Sequence, residues 1–174
     1  MTILKILQYP DKRLKRVAVP VDNFGPEIQK VIDDMFETHY ATQNCAALAA
    51  TQLDLEIPWH ITVIDYTKEK NQPLCIVNGK IIHRDGEQNE LEGCMSVFPS
   101  DIHEKVKRAL NIKLQYQDRF GEHKEIEASG YFAKCIQHEL DHLDGHIYLD
   151  RIHPIKVERV LRKIKKIQRL TKKE

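Results

Sequence analysis

A chain of 174 residues is the size of one ordinary domain, long enough to bury a core and too short to expect a second independent one. Hydrophobic residues make up 41% and charged residues 30%, and 27 basic against 26 acidic side chains leave a formal charge of +1, so bulk charge argues for neither DNA nor a membrane surface as partner. No segment approaches the roughly 20 apolar residues of a membrane helix, the first residues lack a basic stretch leading into an apolar run, and four scattered cysteines (Cys45, Cys75, Cys94, Cys135) make no disulfide scaffold, so a cytoplasmic protein with reduced thiols is expected.

The opening from Ile3 to Val21 mixes short apolar stretches with Pro10 and Pro20 and reads as extended chain and turns on the surface. Pro26 opens a helix. Ile28, Val31, Ile32, Met35, Phe36 and Tyr40 recur at the i, i+3, i+4 spacing of a buried stripe, with Glu27, Lys30, Asp34 and Glu37 assigned to the outer surface. Cys45 to Gln52 is a run of small residues that lets backbone approach a partner closely. Trp59 to Ile64, Leu74 to Val77 and Leu110 to Tyr116 read as strands, with Arg84-Asp85-Gly86 as a turn.

Ser129 is placed to cap a helix running to about Leu143, where Asp144-Gly145 supplies the stop. A last helix begins near Pro154, with Val157, Leu161, Ile164, Ile167 and Leu170 on one side and Arg159, Arg162, Lys163, Lys165, Lys166 and Arg169 over the rest. The expected class is α+β: antiparallel strands packed around a central metal-binding helix, with an N-terminal and a C-terminal helix, all in one domain spanning 1–174.

The chemistry lies in His138-Glu139-Leu140-Asp141-His142, an H-E-x-x-H pattern. On a helix, the i, i+4 spacing puts both imidazoles on one face, where they can grip one metal ion, while Glu139 sits beside them to take a proton from a water that the metal polarises. The third ligand separates enzyme classes. Glu158 lies in a strongly basic helix, and Tyr148 stands where the extended motif H-E-x-x-H-x-x-G-x-x-H needs its third histidine. Glu92-Gly93-Cys94-Met95-Ser96 offers a thiolate instead, and one Cys with two His makes a three-ligand site with an open position. A surface helix with two unrelated histidines and a core cysteine is the plainer alternative; the apolar Tyr131, Phe132, Cys135, Ile136 and Leu140 around the motif weigh against it. On the same helix Cys135 and Tyr131 share the face of His138, which places them either at a substrate side-chain pocket or in plain core packing.

Taken together, Leu48-Ala49-Ala50-Thr51-Gln52, Glu92 to Ser96, and Gln137 to His142 resemble, in order, the three motifs of the peptide deformylases. Tyr9-Pro10-Asp11 with Arg13-Leu14, and Leu143-Asp144-Gly145 with Asp150-Arg151, extend the resemblance over nearly the whole chain. It implies hydrolysis of the formyl group from the N-terminal formyl-methionine of new polypeptides, releasing formate. Cys94, His138 and His142 would then hold one divalent ion, Fe(II) foremost, with Zn, Ni or Co able to take its place. Glu139 would shuttle the proton, the Gln52 amide and the Met95 backbone N–H would receive the oxyanion, and Ala46 and Ala47 would line the peptide groove beside Tyr131 and Cys135. It also implies nascent formyl-methionyl peptides as substrate partners and a ribosomal contact through the basic last helix, for which a solvated face is the alternative.

The first motif departs from the family at its glycines, with Cys45 and Ala47 in their places and Asn44 where an acidic residue is common. A Cβ at Ala47 could obstruct the groove or disfavour a positive φ. Asn78-Gly79-Lys80-Ile81 and the position of Pro99 depart as well. None of these touches a metal ligand, Glu139 or Gln52, so chemistry is expected to survive with altered affinity or specificity. A protein that binds N-termini with little turnover is the rival reading, and Cys45 is a candidate for oxidation near the site.

Overall fold

The computed structural model describes residues 2–171. The elements run α1 (Pro26–Ala41), β1 (Ala47–Ala49), β2 (Ile61–Ile64), β3 (Leu74–Asp85), β4 (Gln88–Glu92), β5 (Glu104–Arg108), β6 (Asn111–Gln117), β7 (His123–Ser129), α2 (Gly130–Leu143) and α3 (Pro154–Thr171), with short 3-10 turns at Lys12–Lys15, Ala50–Gln52 and Tyr148–Arg151. Five strands form an antiparallel sheet in the order β1-β2-β3-β6-β7, and β4 pairs with β5 in a separate ribbon. The architecture is α+β, as expected, and no helix is long and apolar enough to cross a membrane.

α2 packs against β1, β2, β6 and β7, so its apolar face forms one core with the sheet through Ala133, Ile136, Leu140 and Leu143. A second core joins α1 to β1, β2 and β3 through Ile28, Ile32, Met35, Leu48, Val63 and Val77. A third joins the N-terminal segment, the β4–β5 ribbon and α3 through Leu7, Leu14, Val97, Val106, Tyr148, Val160 and Ile164. The opening segment is therefore not merely laid on the surface: Leu7, Leu14, Ala18 and Val21 are buried.

Several expectations need correction. Asp34 is buried, not outward-facing, because its carboxylate receives the Thr2 N–H (2.7 Å) and pairs with Lys30 (2.5 Å). Tyr40, on the expected stripe of α1, is 44% exposed, and Leu170 on α3 is 60% exposed. The stripe of α3 is instead completed by Val160, which is buried with Ile164. β3 runs on through Asn78-Gly79 to Asp85, so Arg84 and Asp85 are strand residues paired with Ile112 and Asn111, and the turn follows them.

α2 begins where β7 ends, at Ser129, whose extended backbone takes the cap position without a side-chain bond. It stops at Gly145, which adopts φ +79°. A Cβ there would come within 2.7 Å of the Lys15 carbonyl oxygen, so both conformation and space call for glycine.

Candidate metal centre and cleft

His138 and His142 lie one turn apart on the buried face of α2, and Cys94 comes to them from the turn after β4. One ligand atom from each falls within 4.8 Å of the others. Cys94 Sγ is 3.2 Å from His142 Nε2, which is 3.2 Å from His138 Nε2. A tetrahedral ion with metal–sulfur and metal–nitrogen bonds of ordinary length separates its ligand atoms by about 3.3–3.6 Å. The two separations from His142 agree with such an ion to within a few tenths of an ångström, and the third, Cys94 to His138, lies within 4.8 Å.

The groups behind the ligands set their orientation. His138 Nδ1 donates to Glu92 Oε2 (2.8 Å), which fixes the ring with Nε2 turned towards His142. Arg108 grips the same Glu92 with Nε to Oε1 (2.7 Å) and Nη2 to Oε2 (2.9 Å), and reaches Asp141 Oδ2 with Nη1 (2.5 Å). Arg151 then closes on Asp141 with Nη2 to Oδ1 (2.5 Å) and Nε to Oδ2 (3.0 Å). Burial alone would raise the Glu92 carboxyl, but the Arg108 fork and the His138 ring outweigh it and hold it at about 2. Burial is the main cause that depresses His142 well below its ordinary value, which favours the neutral ring. The His138 ring also stacks on Tyr148, at 6.0 Å between centroids.

Glu139, beside His138, is buried, and its Oε2 has no hydrogen-bond partner among the described residues. Burial is the main cause raising its carboxyl to about 7. Gln52, at the end of the 3-10 turn after β1, is held at both ends of its amide. Its Oε1 accepts the Ala49 N–H (2.9 Å), and its Nε2 donates to Ser96 Oγ (3.2 Å) and to Cys94 Sγ (3.4 Å). That aims a donor at the Cys94 sulfur. The Met95 carbonyl accepts from Gln8 Nε2 (2.7 Å), and Ser96 N–H lies 3.4 Å from the Cys94 sulfur.

A cavity of about 450 Å³ opens over these groups, lined by Ala46, Ala47, Gln52, Cys94, Met95, Tyr131, Cys135, His138 and Glu139. Every residue expected to hold metal, catalyse or line the groove except His142 borders it, and His142 joins it through the ligand cluster; Cys45 does not line it. β1 and β4 both contribute to its walls and both lie at sheet edges. Gly93 lets His103 close against the backbone, since a Cβ there would meet the ring at 2.8 Å.

The two substituted glycines behave differently from expectation. Ala47 sits in β1 with ordinary extended backbone, and the positive φ of this loop falls on Asn44. Cys45 is buried among apolar residues with its thiol directed at the Ala47 carbonyl oxygen (3.4 Å), and burial raises it to about 12, so it packs as a core thiol. Sequence reasoning missed the roles of Glu92, Arg108 and Arg151, along with Lys134 and His103 at the cavity wall. Glu92 belonged to a recognised motif; Arg108 shares the buried face of β5 with Val106, and its charge alone hid that placement.

The polypeptide deformylase family model matches residues 3–158. Peptide deformylase 1 of Coxiella burnetii is 58% identical over 167 residues, covering 96% of this chain and 98% of the relative. Among solved structures, a peptide deformylase from Legionella pneumophila superposes with a TM-score of 0.90 at 37% identity, covering 99% of both chains. One from Ehrlichia chaffeensis in complex with actinonin gives 0.86 at 35% identity, covering 97% of this chain and 99% of that one.

Proposed function

Since the chain belongs to the polypeptide deformylase family, we propose that it hydrolyses the N-formyl group from the formyl-methionine that begins newly made polypeptides, releasing formate. Cys94, His138 and His142 would hold one divalent transition metal, Fe(II) foremost with Zn, Ni or Co as alternatives, which as a Lewis acid polarises water and the formyl oxygen at neutral pH. The observation that carries the reading is the convergence of one cysteine sulfur and two imidazoles with a buried Glu139 carboxylate oxygen, unpartnered among the described residues, and a clamped Gln52 amide at one cavity.

Glu139 takes the proton of the attacking water on its free Oε2 and returns it to the departing amine nitrogen. Gln52 Nε2 and the Met95 N–H stabilise the oxyanion; because the Gln52 amide is already held by Ala49 and Ser96, little reorganisation is needed as charge develops. The methionine side chain enters between Tyr131 and Cys135, and the following peptide lies along the Ala46–Ala47 edge of β1 as an added strand. The ordinary backbone at Ala47 removes the strain argument for a binder without turnover.

Formate release from a formyl-Met peptide by protein loaded anaerobically with Fe(II) or Ni(II) tests the reading, and metal-loaded protein that releases none would defeat it. We also propose that the exposed Lys165, Lys166 and Arg169 on α3 contact ribosomal RNA phosphates. Because Val160 and Ile164 of α3 are part of the third core, charge reversal at those three positions is a cleaner test than truncation, with loss of salt-sensitive ribosome binding as the expected result.

A further inference from the structure

One wall of the cavity carries a cation. Lys134 stands in the second turn of α2 between Tyr131 and Cys135, and its ammonium reaches across to the Leu91 carbonyl oxygen of β4 (3.0 Å) while lying 4.8 Å from the centre of the Tyr131 ring. Among the described residues that line the cavity it is the sole lysine or arginine. The two carboxylates lining the same space, Glu92 and Glu139, are buried, and Glu92 is engaged by Arg108 and His138. Among the described residues Lys134 makes no ion pair; its partners are a neutral carbonyl and a ring face, both of which leave most of its charge uncompensated.

We propose that Lys134 is a specificity-determining residue that favours substrates with an acidic side chain at the second or third position over those with a basic one. The inference rests on the deformylase reading. Cys135 is 8% exposed and Tyr131 51%, so the side-chain pocket deepens towards Cys135, and a peptide whose first side chain fills it leaves past Tyr131 and Lys134. There the ammonium swings from the Leu91 carbonyl to a substrate carboxylate without crossing apolar space, whereas a substrate lysine or arginine meets like charge. An attraction for one partner and a repulsion for the other, each of the size of an exposed ion pair, gives about a three- to tenfold difference in kcat/KM.

The experiment compares kcat/KM of the metal-loaded enzyme on formyl-Met-Asp-Ser, formyl-Met-Lys-Ser, formyl-Met-Ala-Asp and formyl-Met-Ala-Lys, in low salt and in 0.5 M salt. The acidic-to-basic ratio is expected at about three to ten in low salt for at least one position, and close to one in high salt. Lys134→Met should bring the low-salt ratio to about one, Lys134→Arg should keep it, and Lys134→Glu should invert it. Because each enzyme is scored by a ratio, a general loss of activity in a variant does not obscure the result. Brisk turnover by wild type at a ratio near one, or a preference that survives Lys134→Met, overturns the inference alone; no formate from any of the four peptides overturns the deformylase reading and this inference with it.

Discussion

Arg108 is the keystone of the buried charge network, and its removal should cost far more than any surface pair. Its side chain is 4% exposed and faces two carboxylates, Glu92 at 3% and Asp141 at 9%. Arg108→Met keeps the apolar stem and removes the guanidinium, leaving Glu92 with only the His138 ring and Asp141 with only Arg151. Stranding a buried carboxylate in this way costs about 3–5 kcal/mol. For a domain of this size that corresponds to a fall of about 6–20 °C in Tm. The contrast is Arg162→Met, which breaks a pair exposed at 81% and 70% and should cost less than about 1 kcal/mol. Urea unfolding at pH 7 measures both. Adding Glu92→Gln to Arg108→Met removes one stranded charge, so the double variant should be more stable than the two single losses added together, by about 1–3 kcal/mol. An Arg108→Met variant no less stable than Arg162→Met, or strictly additive with Glu92→Gln, would refute the reasoning.

Cys94→Ala removes the only sulfur of the ligand cluster and should leave protein that retains less than about a tenth of an equivalent of Co(II) or Zn(II) after gel filtration, read by elemental analysis. Gln52→Leu should bind metal normally yet lose about 10²–10³-fold in kcat on a formyl-Met peptide; equal losses of metal and rate would point to a structural role instead. Asp65 is 1% exposed and accepts bonds from Thr67, Tyr40 and the Gln72 N–H. Burial opposes its ionisation, but these bonds outweigh it and lower its pKa from 3.8. A lowered folded-state pKa gives stability that is present above the unfolded value and lost as pH falls through the folded one. Asp65→Asn should therefore cost about 1.5–3 kcal/mol at pH 7, with the gap to wild type closing below pH 3.8 in urea titrations.

Residues whose role follows from local spacing were legible in the sequence. His138 and His142 share a helix face whatever the rest of the chain does, and Gly145 marks the end of that helix because its backbone needs a positive φ. Placing Cys94, 44 residues before His138, depended on ligand chemistry and on the resemblance of the three motifs taken together, since no periodicity connects a turn to a later helix. β1 escaped detection because Ala47, Leu48 and Ala49 have little intrinsic strand preference; their pairing with Ile64, Val63 and Thr62 makes the strand. β4 and β5 were missed for a related reason: Glu90 and Leu91 are exposed and Glu92 is buried, the reverse of what polarity suggests at the last two. Asp34 failed on the assumption that charge belongs outside, which a partner at hydrogen-bonding distance overrides, and the buried Arg108 obeys the same rule.

Two glutamates share the cavity and differ in what surrounds them, and that difference sets their proposed tasks. Glu92 has both oxygens committed, to Arg108 and to the His138 ring, so it is built to hold a charge and a ring in place. Glu139 keeps Oε2 free, so it is built to exchange a proton. The isosteric changes should therefore separate. Glu92→Gln presents an amide to His138 and weakens the grip on its Nδ1–H, so Co(II) affinity should fall about 10–100-fold. Glu139→Gln leaves every bond to the ligands intact, so Co(II) affinity should stay within about threefold of wild type while kcat falls about 10²–10⁴-fold. Titrating both variants with Co(II) by visible absorption, and assaying each at saturating metal, distinguishes the roles. A Glu139→Gln enzyme that loses affinity as strongly as Glu92→Gln would mean that Glu139 is part of the metal's support rather than its proton carrier.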